Sequence, residues 1–310
     1  MTKNKVKQDI NLINLVERYR NEDDCRAYLE ELRFPNGVAC PRCGSTSISR
    51  IQKYHVFDCK SCGYQFSVIV GTIFKDTHLP LWKWFTAIYL MIESKKGISA
   101  NQMKRTLNVS YKTAWYLCHR IRAAMSYGSP NLLKGIVEVD ETLVGGKTKG
   151  TGHGYKGNKA IVVGAVEHGG SGSNTELEVI EHADSETLLK FIQENTTPET
   201  EAIYTDELPA YKALDKQGIK HETVNHSADE WVHGDVHTNS VENIWSLLKR
   251  SIVGSYHQVS KKHLDAYLDE LEWRFNNREN PYLFRDTLLK LIKSENLPYE
   301  KLVSSSPNAG

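Results

Sequence analysis

Four cysteines in two closely spaced pairs place the strongest constraint on how this chain folds. Cys40 and Cys43 form one C-x2-C pair, and Cys59 and Cys62 form a second after fifteen intervening residues. Thiolates are soft ligands, four of them complete a tetrahedral Zn²⁺ site, and a glycine after each pair allows the tight turn that brings two sulfurs together. Because protein fills all four positions, the spacing predicts a zinc ribbon whose zinc is structural.

Length and hydropathy narrow the class of protein further. A chain of 310 residues can form one sizeable domain and one or two small ones. No run approaches the roughly 18 to 20 consecutive apolar residues of a membrane span, and the start "MTKNKVKQDI" lacks the apolar segment of a signal peptide. We therefore expect a soluble, cytoplasmic protein with no membrane partner.

The net charge of +1 conceals a strong asymmetry along the chain. Residues 77–135 carry nine Lys or Arg against one Glu, a net charge of +8, whereas residues 171–230 carry fourteen Asp or Glu against four Lys, a net charge of −10. This order predicts one part that binds a polyanion and another that gathers cations, although most of the acidic residues are expected to be a solvated surface.

The basic segment "GISANQMKRTLNVSYKTAWYLCHRIRAAM" has the spacing of a helix-turn-helix. Ser99 and Ser110 are placed to cap two helices, and Ala114, Leu117 and Ile121 form an inward stripe. The pattern predicts an outward face for DNA, with phosphate contacts from the first helix; the alternative is a plain helical hairpin with a solvated basic face. The candidate DNA-binding residues are Lys104, Arg105, Lys112, Tyr116, His119 and Arg120.

After Lys134 the apolar period changes from helical to strand-like. Three strands ("GIVEVDETLVGG", "KAIVVGAVEHGG", "TELEVIEH") precede a helix at 185–194, a strand "TEAIYTD", a helix near 209–216, a short strand "HETVNH" and closing helices. This order predicts a mixed α/β sheet covered on both faces and matches the ribonuclease-H-like fold, although other α/β folds also fit it.

Three carboxylates stand at positions where such a fold gathers functional groups. Asp140 lies in "VEVDET" and Asp206 in "YTDELPAY", each at the expected end of a strand. Glu242 lies in the amphipathic "HTNSVENIWSLLKR", whose predicted apolar stripe is Val241, Ile244, Trp245, Leu248 and, just beyond, Ile252. Taken singly, an Asp at a strand end is more often a turn or capping residue. If the strands are neighbours and the helix packs beside them, the hard oxygen ligands can hold two Mg²⁺ ions about 4 Å apart.

The same helix carries a lysine two turns beyond its carboxylate. Glu242 and Lys249 are seven residues apart, which puts them on one side of the helix and about 10 Å apart along its axis. This distance is too great for a simple salt bridge. It leaves room for another group between the two side chains.

These motifs together resemble a known family. "CPRCGS", "CKSCGYQFSVIVGTIF", "VEVDET", "YTDELPAY" and "HTNSVENIWSLLKR", with the later "YLDELEWRFNNR", closely resemble the DDE transposases of bacterial insertion sequences that carry an N-terminal zinc ribbon, the ISXO-like group. The resemblance implies that Asp140, Asp206 and Glu242 bind Mg²⁺ (or Mn²⁺) and that Lys249 is the basic residue of the site. Since the third acidic position of this group can be read as Asn, Asn239 is a rival or auxiliary ligand.

The resemblance also implies a reaction. A water attacks a phosphodiester at the transposon end, and the 3′-OH that results attacks target DNA at the same two-metal centre. The expected partners are double-stranded DNA, as terminal inverted repeats and as target, and further copies of the chain in a dimer or larger assembly at the nucleoid of a prokaryotic cell. Two alternatives remain: a domesticated DNA-binding regulator that does not cut, and a ribonuclease-H-like nuclease without strand transfer.

The sequence predicts five segments. An N-terminal helical segment (1–37) precedes the zinc ribbon (38–75) and the helix-turn-helix-like region (76–130). The ribonuclease-H-like DDE catalytic domain follows (131–295), and a flexible tail (296–310) ends the chain.

Overall fold

The chain divides into two compact units. The computed structural model describes residues 10–126, 128, 132–145, 159–169, 172–214, 220–223 and 238–304. The first unit comprises Met1–Ser94, Ile98–Tyr127 and Asn280–Gly310, and the second comprises Lys95–Gly97 and Gly128–Glu279.

The first unit begins with two capped helices. Helices α1 (Leu12–Arg18) and α2 (Glu22–Arg33) each follow an asparagine whose side chain accepts a hydrogen bond from the backbone three residues on. Such caps satisfy backbone N–H groups that have no partner inside a helix, so they fix where each helix starts. The break between the two helices coincides with the second cap.

The zinc ribbon of the first unit is a three-stranded antiparallel sheet. Its strands are β1 (Ile48–Ile51), β2 (Val56–Cys59) and β3 (Gln65–Phe66), and β2 is central. A small core forms where Phe57 and Phe66 pack together with ring centroids 5.3 Å apart. The sheet brings Cys59 and the turns of the two cysteine pairs to one end of the ribbon.

Three more helices follow the ribbon: α3 (Leu81–Glu93), α4 (Ala100–Leu107) and α5 (Tyr111–Met125). The predicted caps are confirmed, because the Ser99 side chain accepts from the Gln102 N–H and the Ser110 side chain from the Thr113 N–H. Asn108 turns the chain between α4 and α5 with a left-handed φ of 48°. The two helices are therefore joined by a tight turn, as the spacing predicted.

The second unit is built on a five-stranded mixed sheet. Its strands lie in the order β6 (Thr175–Ile180), β5 (Ala160–Glu167), β4 (Leu133–Val144), β7 (Thr196–Thr205) and β8 (His221–Thr223). β4, β5 and β6 form an antiparallel meander, and β7 and β8 join β4 in parallel. This is the ribonuclease-H-like arrangement, so the predicted fold class is confirmed.

Helices cover both faces of this sheet. Helix α6 (Ser185–Asn195) packs Leu188 and Phe191 against Val137 and Val139 on one face. On the other face, α7 (Asn239–Ser251) and α8 (Leu264–Asn276) pack apolar stripes against β5 and β6. Alternate residues of β4 therefore face different helices, with even-numbered positions on the α7 side.

Helix α8 hydrogen-bonds to the edge strand β6 through its polar side chains. The Asn276 side chain accepts from the Thr175 N–H at 2.8 Å and donates to the Thr175 carbonyl at 2.9 Å. Glu272 accepts from the Leu177 N–H, and the Val179 N–H bonds to Asp265. These side chains take the place of a further strand and protect an edge that could otherwise pair with another chain.

The C-terminal helices α9 (Leu283–Lys293) and α10 (Tyr299–Val303) belong to the first unit, although the predicted catalytic segment 131–295 included α9. The helix expected near 209–216 is a short 3₁₀ turn, Pro209–Ala213. Within the described ranges, every helix is too short or too polar to cross a bilayer.

Candidate functional site

The four cysteines converge as the sequence predicted. All four Sγ atoms lie within 4.8 Å of one another, with Cys40 and Cys62 3.7 Å apart and Cys43 and Cys59 3.5 Å apart. Zn–S bonds of about 2.3 Å at tetrahedral angles require sulfur separations of roughly 3.8 Å, so the cluster fits zinc. Burial raises the pKa of Cys59, but hydrogen bonds from the Cys62 and Ser61 backbones lower it to about 6. A backbone hydrogen bond from Tyr64 lowers the pKa of Cys62, but burial and the neighbouring thiols raise it to about 12.

The first two candidate carboxylates lie on neighbouring parallel strands. Glu138 of β4 pairs with Tyr204 of β7. Asp140 and Asp206 each come two residues after this pair, and both line one cleft, so the paired strands carry the two carboxylates to the same region. Asp140 does not end its strand, as the sequence had predicted, because its pairing with β5 continues to Val144; only the parallel pairing stops before it. Parallel register thus brings together two residues 66 positions apart.

Helix α7 brings the third carboxylate to the same region. Its predicted apolar stripe is buried against the sheet, which leaves Glu242 exposed in the first turn. Burial raises the pKa of Asp140, and the charges of Asp206 and Glu242 raise it further. Asp206 and Glu242 are therefore both close enough to Asp140 to repel its charge, which a bound cation would relieve.

The carboxylates are more widely spread than the thiolates. Among the described residues, the cysteine cluster is the one group of three or more potential ligands whose atoms all lie within 4.8 Å of one another. At least one pair of ligand atoms among Asp140, Asp206 and Glu242 is therefore farther apart than 4.8 Å.

A cleft of about 680 Å³ opens beside Asp140 and Asp206. Two lysines, Lys159 and Lys261, lie on the same cleft as the carboxylates, so it combines groups that attract cations with groups that attract phosphate. Its other lining residues include Glu141, Ile161, Ile180 and Leu208.

Glu141 is a further carboxylate of this cleft that the sequence interpretation passed over. It lies on the opposite face of β4 from Asp140, where the Tyr211 hydroxyl donates a hydrogen bond to its Oε2 at 2.8 Å. Burial, together with the charges of Asp206 and Asp140, raises the pKa of Glu141 to about 7. Its position next to Asp140 in "VEVDET" is the sequence feature that could have identified Glu141 as a site residue.

Two further side chains connect β4 to α7, and both were missed as site residues. Glu138, fully buried, accepts hydrogen bonds from the Ser240 N–H at 2.7 Å, the Ser240 hydroxyl at 2.8 Å and the Val241 N–H at 3.1 Å. Trp245 donates its indole N–H to Asp140 Oδ2 at 2.8 Å. The sequence placed Trp245 only in the apolar stripe. Glu138 could have been identified from the sequence because it stands two residues before Asp140, on the same face of the strand.

The other predicted site residues of α7 are solvent-exposed. Asn239 is the first residue of the helix, and Lys249 lies two turns after Glu242 in the same continuous helix. Their roles remain predictions. His233 and His237, weighed as ligands or proton carriers, lie outside the described residues.

The predicted outward face of α5 is wrong for two of its four residues. His119 and Arg120 are 1% and 4% exposed. Arg120 donates to the carbonyls of Ile73 and Lys75 and to the Asn296 side chain. Its guanidinium is therefore bonded inside the first unit and does not face solvent.

A third residue of that face is partly buried by contacts within the protein. Tyr116 is half-buried and donates its hydroxyl to the Leu297 carbonyl. The cations of this helix pair that stay exposed are Lys104, Arg105 and Lys112. Lys112 lies 4.3 Å from the Tyr299 ring centroid and remains accessible to solvent.

Comparison with known proteins agrees with this architecture, a zinc ribbon followed by a ribonuclease-H-like domain with clustered carboxylates. Residues 132–276 match the model of the ISXO2-like transposase domain, and residues 20–65 match the transposase zinc-ribbon domain. An uncharacterized protein in transposable element ISH50 of Halobacterium salinarum is 30% identical over 277 residues, covering 84% of this chain and 92% of that protein. The chain belongs to the ISXO2-like transposase family.

More distant likenesses were also found. An uncharacterized transposase-like protein of Haemophilus influenzae is 35% identical over 101 residues, 33% of this chain and 80% of that protein. The magnesium complex of the HTLV-2 integrase catalytic core domain aligns at 18% identity and a TM-score of 0.28, covering 46% of this chain and 86% of that one. A pre-cleavage Mos1 transpososome aligns at 13% identity and a TM-score of 0.28, covering 67% and 75%.

Proposed function

We propose that this transposase cleaves the ends of its element and joins the resulting 3′-OH to target DNA at one centre formed by Asp140, Asp206 and Glu242. The observation that carries the proposal is the parallel pairing of β4 and β7, which ends two residues before Asp140 and Asp206, together with the cleft that both side chains line. Family membership adds the substrate class, double-stranded DNA.

The carboxylates are suited to hold divalent cations. Magnesium or manganese supplies Lewis-acid chemistry, activating one oxygen of an in-line phosphoryl displacement and stabilising another. Asp140 and Asp206 contribute hard oxygen ligands from adjacent strands, and Glu242 contributes one from the helix. Burial raises the pKa of Asp140, the charges of Asp206 and Glu242 raise it further, and a bound cation would favour the charged form.

The third ligand can be tested directly. Glu242 is the better candidate because a carboxylate binds Mg²⁺ more strongly than an amide and because it stands in register with Lys249. Asn239 lies one turn earlier. Loss of cleavage in Asn239→Ala with full activity in Glu242→Ala would assign the role to the amide.

Basic residues around the site are suited to bind DNA phosphates. Lys249 lies two turns beyond Glu242 on α7, and Lys159 and Lys261 line the cleft. Lys104, Arg105 and Lys112 provide exposed cations on the helix pair of the first unit. Phosphate contacts of this kind position DNA without reading its sequence, and they weaken as salt rises.

The zinc ribbon has a structural role in this proposal. Four thiolates saturate the metal, so no position remains for a substrate. Because two transposon ends must meet for joining, we expect a dimer or a larger assembly on DNA.

The experiment uses the full chain with Mg²⁺ and DNA that bears the terminal inverted repeats of its element. We expect nicked ends and joined products, and we expect Asp140→Ala, Asp206→Ala and Glu242→Ala each to abolish both. Nicking without joining would favour a nuclease, and sequence-specific binding without cutting would favour a regulator. Wild-type activity in Asp206→Ala would overturn the assignment.

A further inference from the structure

Helix α7 is attached to strand β4 at two points that bracket Glu242. At the first, Glu138 accepts the Ser240 N–H, the Ser240 hydroxyl and the Val241 N–H. Thr238, the residue before the helix, provides no side-chain cap, so the buried carboxylate of the strand fills that role. A carboxylate at this end of a helix also interacts favourably with the helix dipole.

The second attachment involves a candidate metal ligand itself. Trp245 donates its indole N–H to Asp140 Oδ2 at 2.8 Å. The bond occupies one oxygen of that carboxylate and restricts its rotation, which leaves Oδ1 for a cation. Metal-binding carboxylates are commonly held by such hydrogen bonds, and loss of the partner typically weakens metal affinity by 10- to 100-fold.

The spacings of the two attachments match. Glu138 and Asp140 are two residues apart on a strand, or roughly 6.8 Å. The Ser240–Val241 step and Trp245 are four to five residues apart on a helix, or roughly 6 to 7.5 Å. Sliding α7 by one turn would break both attachments at once. The axial position of Glu242, which lies between them, is therefore fixed relative to Asp140.

A glycine makes the second attachment possible. Gly164 of β5 pairs with Asp140, and the Trp245 ring lies across it. A Cβ atom at this position would lie 2.5 Å from Trp245 Cη2 and 2.7 Å from Leu177 Cδ2. Any side chain would therefore displace the indole. The requirement is for space, because Gly164 is not among the residues with positive φ.

We propose that Trp245 and Glu138 are positioning residues that set the metal-binding carboxylates of β4 and α7 in register, with Trp245 directly orienting Asp140. The inference rests on the proposed function, since it takes Asp140 and Glu242 as metal ligands. A purely structural role predicts that Trp245→Phe loosens the core and changes nothing else. A positioning role predicts a specific loss of metal affinity.

The test measures Mn²⁺ affinity by electron paramagnetic resonance on the full chain, in wild type, Trp245→Phe and Ile244→Val. Phenylalanine keeps a buried ring and removes the donor. Ile244→Val loosens the same buried face without touching a carboxylate. We expect Trp245→Phe to weaken Mn²⁺ binding roughly 10-fold, and Ile244→Val to leave it unchanged at a similar loss of melting temperature. Equal affinities in all three proteins would overturn the inference.

A second readout observes the hydrogen bond itself. The chain has six tryptophans, and Trp245→Phe identifies the indole N–H signal of Trp245 in a ¹⁵N-labelled sample. Addition of Mg²⁺ should shift that signal more than the other five. An unmoved signal in a protein that binds metal would overturn the positioning role alone.

Failure of the proposed function has a different signature. If wild type binds no Mn²⁺, or if Asp206→Ala binds it equally well, the three-carboxylate metal site is wrong, and the positioning role is overturned with it. Both outcomes are read from the same binding curves.

Discussion

The two candidate metal sites of this chain are assembled in opposite ways. The zinc ribbon draws its ligands from 23 consecutive residues, and two C-x2-C turns on one small sheet bring the sulfurs together. The carboxylate site draws Asp140, Asp206 and Glu242 from across about a hundred residues and depends on strand register and helix docking. A site whose ligands are close in the chain can be identified from their spacing alone. A site whose ligands are far apart in the chain can be identified only from the packing that brings them together.

Loss of zinc should be the largest perturbation and should stay within the ribbon. We expect Cys59→Ser to abolish stoichiometric zinc and unfold the ribbon, because structural zinc contributes about 10–16 kcal/mol in small zinc-binding peptides. If the two sites are independently assembled, Mn²⁺ binding at the carboxylates persists. Metal analysis of protein purified without chelator, beside a Mn²⁺ titration, checks both. Zinc-free wild type that retains a folded ribbon would contradict this.

Removal of one carboxylate should abolish the reaction without harming the fold. We expect Asp206→Ala to lower strand cleavage by at least about 10³-fold, several kcal/mol of transition-state stabilisation. Its melting temperature without divalent cations should stay close to that of wild type, because relief of repulsion with Asp140 and Glu141 offsets the loss of the hydrogen bond that Asp206 accepts from the Leu208 N–H at 3.0 Å. Cleavage assays and calorimetry test this, and a strongly lowered melting temperature would indicate a structural role instead.

A matched pair of glycine substitutions separates the two modes of assembly. Gly164→Ala should cost about 2–3 kcal/mol and weaken Mn²⁺ binding, because the new Cβ meets Trp245 and Leu177. Gly44→Ala in the ribbon meets nothing within 4 Å but has φ of +73°, so it should cost about 1 kcal/mol by backbone strain alone. Denaturant unfolding and metal titration of each variant check the contrast. Unchanged Mn²⁺ affinity in Gly164→Ala would contradict it.

A smaller effect should appear in the pH dependence of stability. The raised pKa of Glu141, about 7 against an ordinary 4.5, means that the folded protein keeps a proton between these values that the unfolded chain has released. Stability therefore falls as pH rises through this window, by about 1–2 kcal/mol once solvent screening is allowed for. Glu141→Gln should remove most of that fall. Denaturant unfolding at pH 5 and pH 8 tests it, and identical slopes in both proteins would refute it.

Much of the local structure was predictable from the sequence. The caps Ser99 and Ser110, the four cysteines and the apolar alternation of β4 each depend on residues close in the chain. The fold class also followed, because the succession of strands and helices restricts how a mixed sheet can be connected.

The missed features share a dependence on distant residues. The outward face of α5 was wrong at Arg120 because its partners Ile73 and Asn296 are 47 and 176 residues away, and no helical period reveals them. The role of Trp245 was hidden for the same reason. Its position in an apolar stripe explained it fully until Asp140, 105 residues earlier, was found beside its N–H.

The most direct test of the central claim is the location of the metal ions. Crystals of the full chain with Mn²⁺, examined by anomalous scattering at the manganese edge, should show density bridging Asp140 and Asp206, with a second peak toward Glu242. Manganese bound away from Asp140 and Asp206 at saturating concentration would contradict the account.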